Sequence, residues 1–302
     1  MKALVTGAGG FVGTHLVSHL EEAGDTVLVT DPSIDGVDIT DVDRVADLLG
    51  ETKPEVIYHL AGWADVGASW TNPATAFRVN ADGTLNVLLA ALASGVSRVL
   101  IVSSADVYGA VAETDMPITE ETPLRPVSPY AASKVAADFL GLQAYLGRGL
   151  HVLRVRAFNH LGPGQTDKFV ASALASRIAR NELEGTDEIP IGNLSARRDF
   201  TDVRDVVRAY RMIMTDGEPG EVYNVCSGCD VAVQELAEQL LAHASQPMHF
   251  VTDPELLRPV DVPVLRGDHA KLTAATGWDP EIPLARTLED LLDDWRRRLR
   301  AP

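Results

Sequence analysis

Cysteine is almost missing from this 302-residue chain: only Cys226 and Cys229 occur, too few for a disulfide framework and in keeping with a reducing compartment. Basic residues are also scarce. The 26 Lys and Arg stand against 43 Asp and Glu, a net charge of −17, and such a surface repels phosphate backbones and anionic headgroups. Nucleic acid and membrane are therefore not expected as partners. No apolar run approaches the roughly 20 residues of a membrane span, and the amino terminus enters a strand pattern without a basic region or cleavage site, so a cytoplasmic location is expected. Internal repeats and low-complexity linkers are lacking too. What is there is a chain 46% apolar, enough for a large core in one domain or two intimate ones.

The first half alternates short apolar runs with helical patterns. Runs at Lys2–Thr6, Thr26–Thr30, Val56–Leu60, Arg98–Val102 and His151–Val155 read as strands. Helices are predicted over 14–22 and near 41–50, 73–94 and 129–146. Strands apolar on both faces, separated by helices, predict an α/β fold with a doubly wound, Rossmann-type parallel sheet covered on both sides. Beyond about Gly162 the strands become short and isolated, at 188–191, 221–226 and 249–251. This predicts a smaller mixed α/β substrate lobe over 162–302, beside a dinucleotide-binding domain over 1–161 to which a segment near 199–227 returns.

The first strand runs into Gly7-Ala-Gly-Gly10-Phe11-Val12-Gly13 and then a helix. Such a turn lets backbone N–H groups and a helix N-terminus approach a pyrophosphate. The second strand ends at Asp31, whose carboxylate can accept from both ribose hydroxyls and repels a 2′-phosphate. NAD is favoured over NADP on that ground, with NADP left open. The alternative is that Asp31 caps the turn before Pro32. Further on, Tyr130 and Lys134 are four apart on one helical face. A lysine there is expected to lower the phenol pKa and fit it for proton exchange with an alcohol or ketone. The fourth strand ends in Ser103-Ser104-Ala105-Asp106-Val107-Tyr108-Gly109, which brings the Ser104 hydroxyl to the carboxyl end of the sheet.

With these motifs the chain resembles the extended short-chain dehydrogenase/reductase family of nucleotide-sugar epimerases, dehydratases and reductases. The resemblance spans essentially the whole chain and also rests on His59-Leu60-Ala61-Gly62, Asn80-Ala-Asp-Gly83-Thr84, Phe158-Asn-His-Leu-Gly-Pro-Gly-Gln165, 192–206, 220–228 and 258–268. The second half is most similar to the GDP-4-keto-6-deoxy-D-mannose reductases and the GDP-mannose 4,6-dehydratases. The resemblance implies that Tyr130 is the acid/base, that Lys134 tunes it and contacts the nicotinamide ribose, and that Ser104 orients the sugar C4 oxygen. It implies cofactor contacts from Asp38, Ile39, Leu60, Ala61, Gly62, Asn80 and Ser103 as well as the glycine turn. It also turns Asn159, Lys168 and Val170 toward a nucleotide-diphosphate sugar. Arg198 and Arg258 suit its diphosphate, since a guanidinium binds phosphate oxygens in bidentate fashion; Arg197, Arg204 and Arg208 read as ordinary solvated arginines.

Among the reactions of the family, the dehydratases carry a Glu where this chain has Asp106, one methylene shorter. That shortening argues against full dehydratase chemistry, although Asp106 stays a candidate catalytic group. A C4 reductase giving GDP-D-rhamnose is the favoured reading. A 4-epimerase, a dehydratase and a non-catalytic NAD-binding regulator are the alternatives. Apolar residues on several faces of the 129–146 helix, with the habit of relatives, predict a homodimer. Cys226-Ser-Gly-Cys229 follows a late strand rather than opening a helix and reads as inert; two cysteines without a matching His set do not make a zinc site, and no metal is expected. His59 is expected to support the cofactor cleft, while His160, Trp63 and Trp70 either touch the sugar or fill the lobe interface.

Overall fold

In the computed structural model, residues 1–256 and 262–300 are described. Strand β1 (Lys2–Thr6) turns through the glycines into α1 (Phe11–Glu22), followed by β2 (Thr26–Thr30), α2 (Val42–Thr52) and β3 (Val56–His59). Two short helices, α3 (Val66–Ser69) and α4 (Pro73–Phe77), lead through a single π-helical turn (Arg78–Asp82) into α5 (Gly83–Ser94). The helix expected over 73–94 is thus interrupted. Then come β4 (Arg98–Val102), α6 (Pro129–Arg148), β5 (His151–Ala157) and β6 (Asn159–Leu161). The rest comprises α7 (Val170–Glu184), β7 (Glu188–Ile191), β8 (Arg197–Asp202), α8 (Val203–Asp216), β9 (Val222–Val225), β10 (Asp230–Ala232), α9 (Val233–Ala242), β11 (His249–Thr252), β12 (Val264–Leu265), α10 (Ala270–Thr276) and α11 (Leu284–Arg300).

Six strands pair in the order β2-β1-β3-β4-β5-β9, all parallel. The chain leaves β1 in one direction for β2 and returns across it to β3. This reversal opens a crevice beyond the carboxyl ends of β1 and β3, the usual ligand position in a doubly wound sheet. The strands are apolar on both faces because both are covered. On one face Leu16 and Leu20 of α1 meet Val206, Tyr210 and Ile213 of α8 over Val5, Tyr58 and Leu100. On the other, Val45, Leu49, Val87, Leu88 and Ala144 of α2, α5 and α6 cover Leu4, Ile57, Val99 and Ile101.

A second core lies in the smaller lobe, where Leu174 and Ile178 of α7, Leu236 and Leu240 of α9, and Leu288, Leu292 and Trp295 of α11 pack on Ile189 and Phe200. Strand β8 is the hub of its sheet, pairing with β6, β10 and β12. Since β6 follows directly from β5, the two lobes share a continuous backbone at the carboxyl edge of the main sheet. Among the described residues no helix is long and apolar enough to cross a membrane.

Candidate active site

The glycine turn is built by close backbone approach. A Cβ on Gly13 would lie 2.2 Å from Gly7 O, and one on Gly7, whose φ is +72°, would lie 2.7 Å from Ala61 N. Both positions therefore require glycine. Helix α1 starts at Phe11, earlier than the pattern predicted, because Gly10 is its N-cap and needs no side chain to enter the helix. With no side-chain cap bond at that end, the first-turn N–H groups are presented to an anion. Asp31, half-buried at the end of β2, accepts through Oδ1 from Ser33 N at 2.9 Å and Ser33 Oγ at 2.5 Å. It does cap its turn, and it does so beside Gly9, where a Cβ would come within 3.1 Å of the carboxylate. Asp38 behaves alike, its Oδ1 accepting from Thr40 N and Oγ1. Ile39 is buried beneath Gly83.

Across the crevice, a directed hydrogen-bond chain runs through His59. Ala61 N–H donates to Thr6 Oγ1 (3.2 Å), which meets His59 Nδ1 at 2.8 Å; His59 Nε2 meets Thr84 Oγ1 at 3.0 Å, and Thr84 Oγ1 donates to Asn80 O at 2.6 Å. Because the Thr84 hydroxyl proton is committed to Asn80 O, its oxygen accepts from Nε2–H. The Nδ1 atom then accepts from Thr6. The imidazole is thereby fixed as the neutral Nε2–H tautomer, and burial, followed by the Lys134 charge, pushes its pKa down to about 3. Asn80 carries the chain onward: Oδ1 accepts from Trp63 N, Nδ2 donates to Trp63 O and Ser133 Oγ, and Ser133 Oγ donates to Tyr130 O. A Cβ on Gly62 would sit 2.8 Å from Asn80 Oδ1 and 3.2 Å from Lys134 Nζ. His59, Gly62, Asn80 and the catalytic-helix backbone are thus one braced unit. Nitrogen-detected NMR of His59 should show the Nε2–H tautomer with no titration between pH 5 and 8; a midpoint near 6.5 would contradict the arrangement.

Helix α6 is capped by Ser128, whose Oγ accepts from Ala131 N at 3.1 Å, with Pro129 in the first turn. Tyr130 N–H donates to Ser69 Oγ at 3.2 Å, tying the helix start to α3. Tyr130 and Lys134 lie one turn apart and each is 8% exposed. Lys134 Nζ donates to Val102 O at 2.9 Å and Ser103 Oγ to Lys134 O at 3.4 Å, fastening α6 to the end of β4. Ser104 ends that strand as cap of a 3-10 turn (Ala105–Tyr108), its Oγ accepting from Asp106 N at 3.2 Å. Burial pushes the Lys134 ammonium down to about 8. The expected lowering of the phenol is reversed: burial, then the Asp106 carboxylate, push Tyr130 up, against a smaller opposing effect of the Ser104 hydroxyl. Tyr130 thus holds its proton through the neutral range. A buried, protonated phenol next to a hydroxyl can donate a proton to a carbonyl oxygen that becomes an alkoxide.

The 3-10 turn is anchored from below. Tyr108 Oη donates to Asn224 Oδ1 at 2.7 Å and receives Arg156 NH1 at 3.1 Å. Asp138 of α6, fully buried, pairs with both Arg154 at 2.7 Å and Arg156 at 3.0 Å.

A model of the GDP-mannose 4,6 dehydratase family matches residues 28–291. The chain belongs to that family. It is 42% identical over 302 residues to the GDP-6-deoxy-D-mannose reductase of Pseudomonas aeruginosa, covering 99% of this chain and 98% of the relative. It is 30% identical over 290 residues to the GDP-6-deoxy-D-talose 4-dehydrogenase of Aggregatibacter actinomycetemcomitans, covering 95% of each. The structure of RMD from Pseudomonas aeruginosa complexed with NADPH superposes with a TM-score of 0.91 at 40% identity, covering 99% of this chain and 100% of that one. The dehydratase family belongs to the extended short-chain dehydrogenases/reductases, as the motifs implied.

In this dehydratase-family chain the residues expected to meet a substrate are less tightly grouped than the catalytic ones. Asn159 is exposed at the start of β6, Lys168 is exposed in the following loop, and Val170 opens α7 half-buried. Arg198 is half-buried on β8 and donates to Arg197 O at 2.8 Å. Arg258 lies outside the described residues. Arg197, Arg204 and Arg208 are not simply solvated, being paired with Asp230, with Asp202 and Asp290, and with Asp205 and Glu281. His160 stacks on Phe11 at 6.3 Å, joining the glycine turn to the substrate lobe. Trp63 Nε1 donates to Asp65 O, whereas Trp70 is exposed. Cys226 is buried, Cys229 exposed, and both are free. Their spacing frames a turn around buried Asp199, whose carboxylate accepts from Ser227 N and Oγ, Gly228 N and Gly267 N.

Residues that sequence reasoning passed over are Ser69, Ser133 and Asp138. Ser133 could have been noticed inside Tyr130-Ala-Ala-Ser-Lys134, but Ser69 and Asp138 act only through tertiary contacts.

Proposed function

We propose that the protein reduces the C4 ketone of GDP-4-keto-6-deoxy-D-mannose to GDP-D-rhamnose with a nicotinamide dinucleotide. The observation that carries this reading is the grouping of Tyr130 and Lys134 on α6 with Ser104 at the end of β4, in a chain 42% identical to a GDP-6-deoxy-D-mannose reductase. The turn fits a dinucleotide: Gly7, Gly10 and Gly13 clear the backbone that a Cβ would fill, and the uncapped start of α1 would take the pyrophosphate. When bound, the nicotinamide supplies the hydride. Leu60, Ala61, Gly62, Asn80 and Ser103 would wall its pocket, and Lys134 would meet its ribose. Ser104 donates to the C4 oxygen and orients it. Tyr130 gives its proton to the oxygen as negative charge develops there, and Lys134, charged below about pH 8, stabilises the phenolate left behind. Burial, then the nearby Asp106 carboxylate, hold the phenol above its ordinary value.

Reduction begins from a protonated acid, whereas alcohol oxidation, the first step of an epimerase or dehydratase, begins from a base. The 42% identity to a GDP-6-deoxy-D-mannose reductase, against 31% to a UDP-glucose 4-epimerase and 26% to a GDP-mannose 4,6-dehydratase, favours the reductase over both. Incubation with GDP-mannose alone and analysis of the sugar nucleotides tests this choice: no 4-keto or epimeric product is expected, and either one would move the assignment to the alternatives.

Asp31 favours NADH, with NADPH also accepted. Asp31→Ala is expected to raise the kcat/KM ratio of NADPH to NADH about tenfold or more, and an unchanged ratio would reduce Asp31 to a turn cap. The acidic chain also leaves an apolar face on α4, α5 and α6, where Phe77 is 47% and Phe139 52% exposed around a 370 Å³ groove. A second copy of the chain is the proposed occupant, giving a homodimer. Light scattering of the wild type should give twice the chain mass, and a monomer at micromolar concentration would refute the dimer.

A further inference from the structure

We infer that Tyr108 is a positioning residue for the C4 reduction: its buried hydroxyl, held between Asn224 and Arg156, fixes the turn from which Ser104 presents its own hydroxyl beside Tyr130. The inference rests on the reductase reading above and deepens it, since it says what holds the orienting group in place.

The link to the reacting groups comes first. Ser104 caps the 3-10 turn, and its hydroxyl shares a hydrogen bond with the Tyr130 phenol. Tyr108 is the last residue of that same turn. Within it, Val107 N–H donates to Ser104 O at 3.3 Å and Gly109 N–H to Asp106 O at 3.1 Å. These bonds make the turn one short piece, so a movement of Tyr108 is a movement of Ser104. Tyr108 is fully enclosed and acts on a substrate only through the turn.

What holds Tyr108 comes second. Its Oη donates to Asn224 Oδ1 at 2.7 Å and accepts from Arg156 NH1 at 3.1 Å. Neither partner is free to follow it. Asn224, also fully buried, binds the loop beyond the turn: its Nδ2 donates to Ile118 O at 3.0 Å and its backbone N–H to Glu120 Oε1 at 2.7 Å. Ile118 is tied in turn to the chain after β12, donating to Arg266 O and accepting from Asp268 N, each at 2.9 Å. Arg156 is paired with Asp138 of α6, the helix of Tyr130 and Lys134. One hydroxyl thus joins the turn of Ser104 to β9, to β5 and, through Arg156 and Asp138, to the helix that carries the proton donor.

The ring of Tyr108 has its own supports. Phe158 packs against it at 6.4 Å between centroids, and the Arg156 guanidinium lies 5.2 Å over it. Removing the hydroxyl therefore keeps the packing and loosens the turn. The Ser104 hydrogen bond to the C4 oxygen strengthens as that oxygen becomes negative, so a displaced Ser104 is felt in the transition state more than in substrate binding. The effect falls on kcat rather than on KM.

The test is the rate of reduction of GDP-4-keto-6-deoxy-D-mannose by NADPH for the wild type, Tyr108→Phe, Ser104→Ala and the double variant, with working sites counted by fluorescence titration of NADPH. Tyr108→Phe is expected to lower kcat per site about tenfold or more, with the KM of the keto sugar and the Kd of NADPH within about twofold of the wild type. In the Ser104→Ala background the same substitution is expected to change kcat by less than about twofold, because the group it positions is gone. An unchanged kcat in Tyr108→Phe, or a rise of KM and Kd as large as the fall of kcat, would leave the hydroxyl a role in the fold alone and overturn the inference. An undiminished loss without Ser104 would overturn it as well, since the hydroxyl would then act elsewhere. A wild type that oxidises no cofactor would instead remove the reductase reading, and this inference with it.

Discussion

Tyr130→Phe is expected to lower kcat for C4 reduction by about 10²–10⁴-fold, the usual contribution of a positioned general acid, while nicotinamide binding is retained. The phenol ring fills a buried site and its backbone N–H, not its hydroxyl, bonds Ser69. Phenylalanine therefore keeps the packing and the helix start. The proton donor is lost, and Ser104 alone would face the developing oxyanion. Steady-state rates with saturating cofactor, together with fluorescence titration of NADPH, separate the two effects. Loss of cofactor binding alongside the rate would mean that the tyrosine organises the cleft rather than the chemistry.

Asp138→Ala is expected to destabilise the protein by about 3–5 kcal/mol, the cost of breaking a buried ion pair from one side. Asp138 is fully buried and neutralises two guanidiniums, Arg154 and Arg156, that are themselves almost wholly enclosed. Arg156 also holds Tyr108 and the backbone carbonyl of Glu120, so the loss reaches the turn that carries Ser104. Chemical denaturation measures the effect, with Asp138→Asn giving a smaller loss because one acceptor remains. A change below about 1 kcal/mol would show that water enters and solvates the arginines, and the anchoring role of the triad would fall.

Low pH acts on the same body through His59. Its folded pKa is depressed to about 3 from the ordinary 6.5, so the unfolded chain binds a proton between those values that the native chain refuses. Its contribution is fully present above about pH 6.5 and lost progressively as pH falls toward 3.

Much of the catalytic constellation could be read from local spacing. The glycine turn, the i, i+4 Tyr130–Lys134 pair and the strand-end Ser104 each lie within one element and its neighbour, where periodicity and turn chemistry report directly. The hydrogen-bond chain from Thr6 through His59 and Thr84 to Asn80 and Ser133 joins five segments, and nothing local announces it. Arg154 and Arg156 fall within a strand that covers its charges with an aspartate from α6, so apolarity could not reveal a buried ion triad. The upward shift of Tyr130 is hidden from the sequence for a related reason: the i+4 lysine is visible there, but not the burial or the nearness of Asp106. The close approach of Gly83 to Ile39 after the single π-helical turn is likewise a tertiary contact that the pattern of 73–94 does not announce.

The most direct measurement is consumption of NADH and of NADPH by the purified protein given GDP-4-keto-6-deoxy-D-mannose. Oxidation of cofactor stoichiometric with formation of GDP-D-rhamnose, abolished in Tyr130→Phe, is the predicted result. No oxidation of either cofactor with the authentic keto sugar would contradict the assignment of Tyr130 as proton donor and Ser104 as orienting group in a C4 reduction.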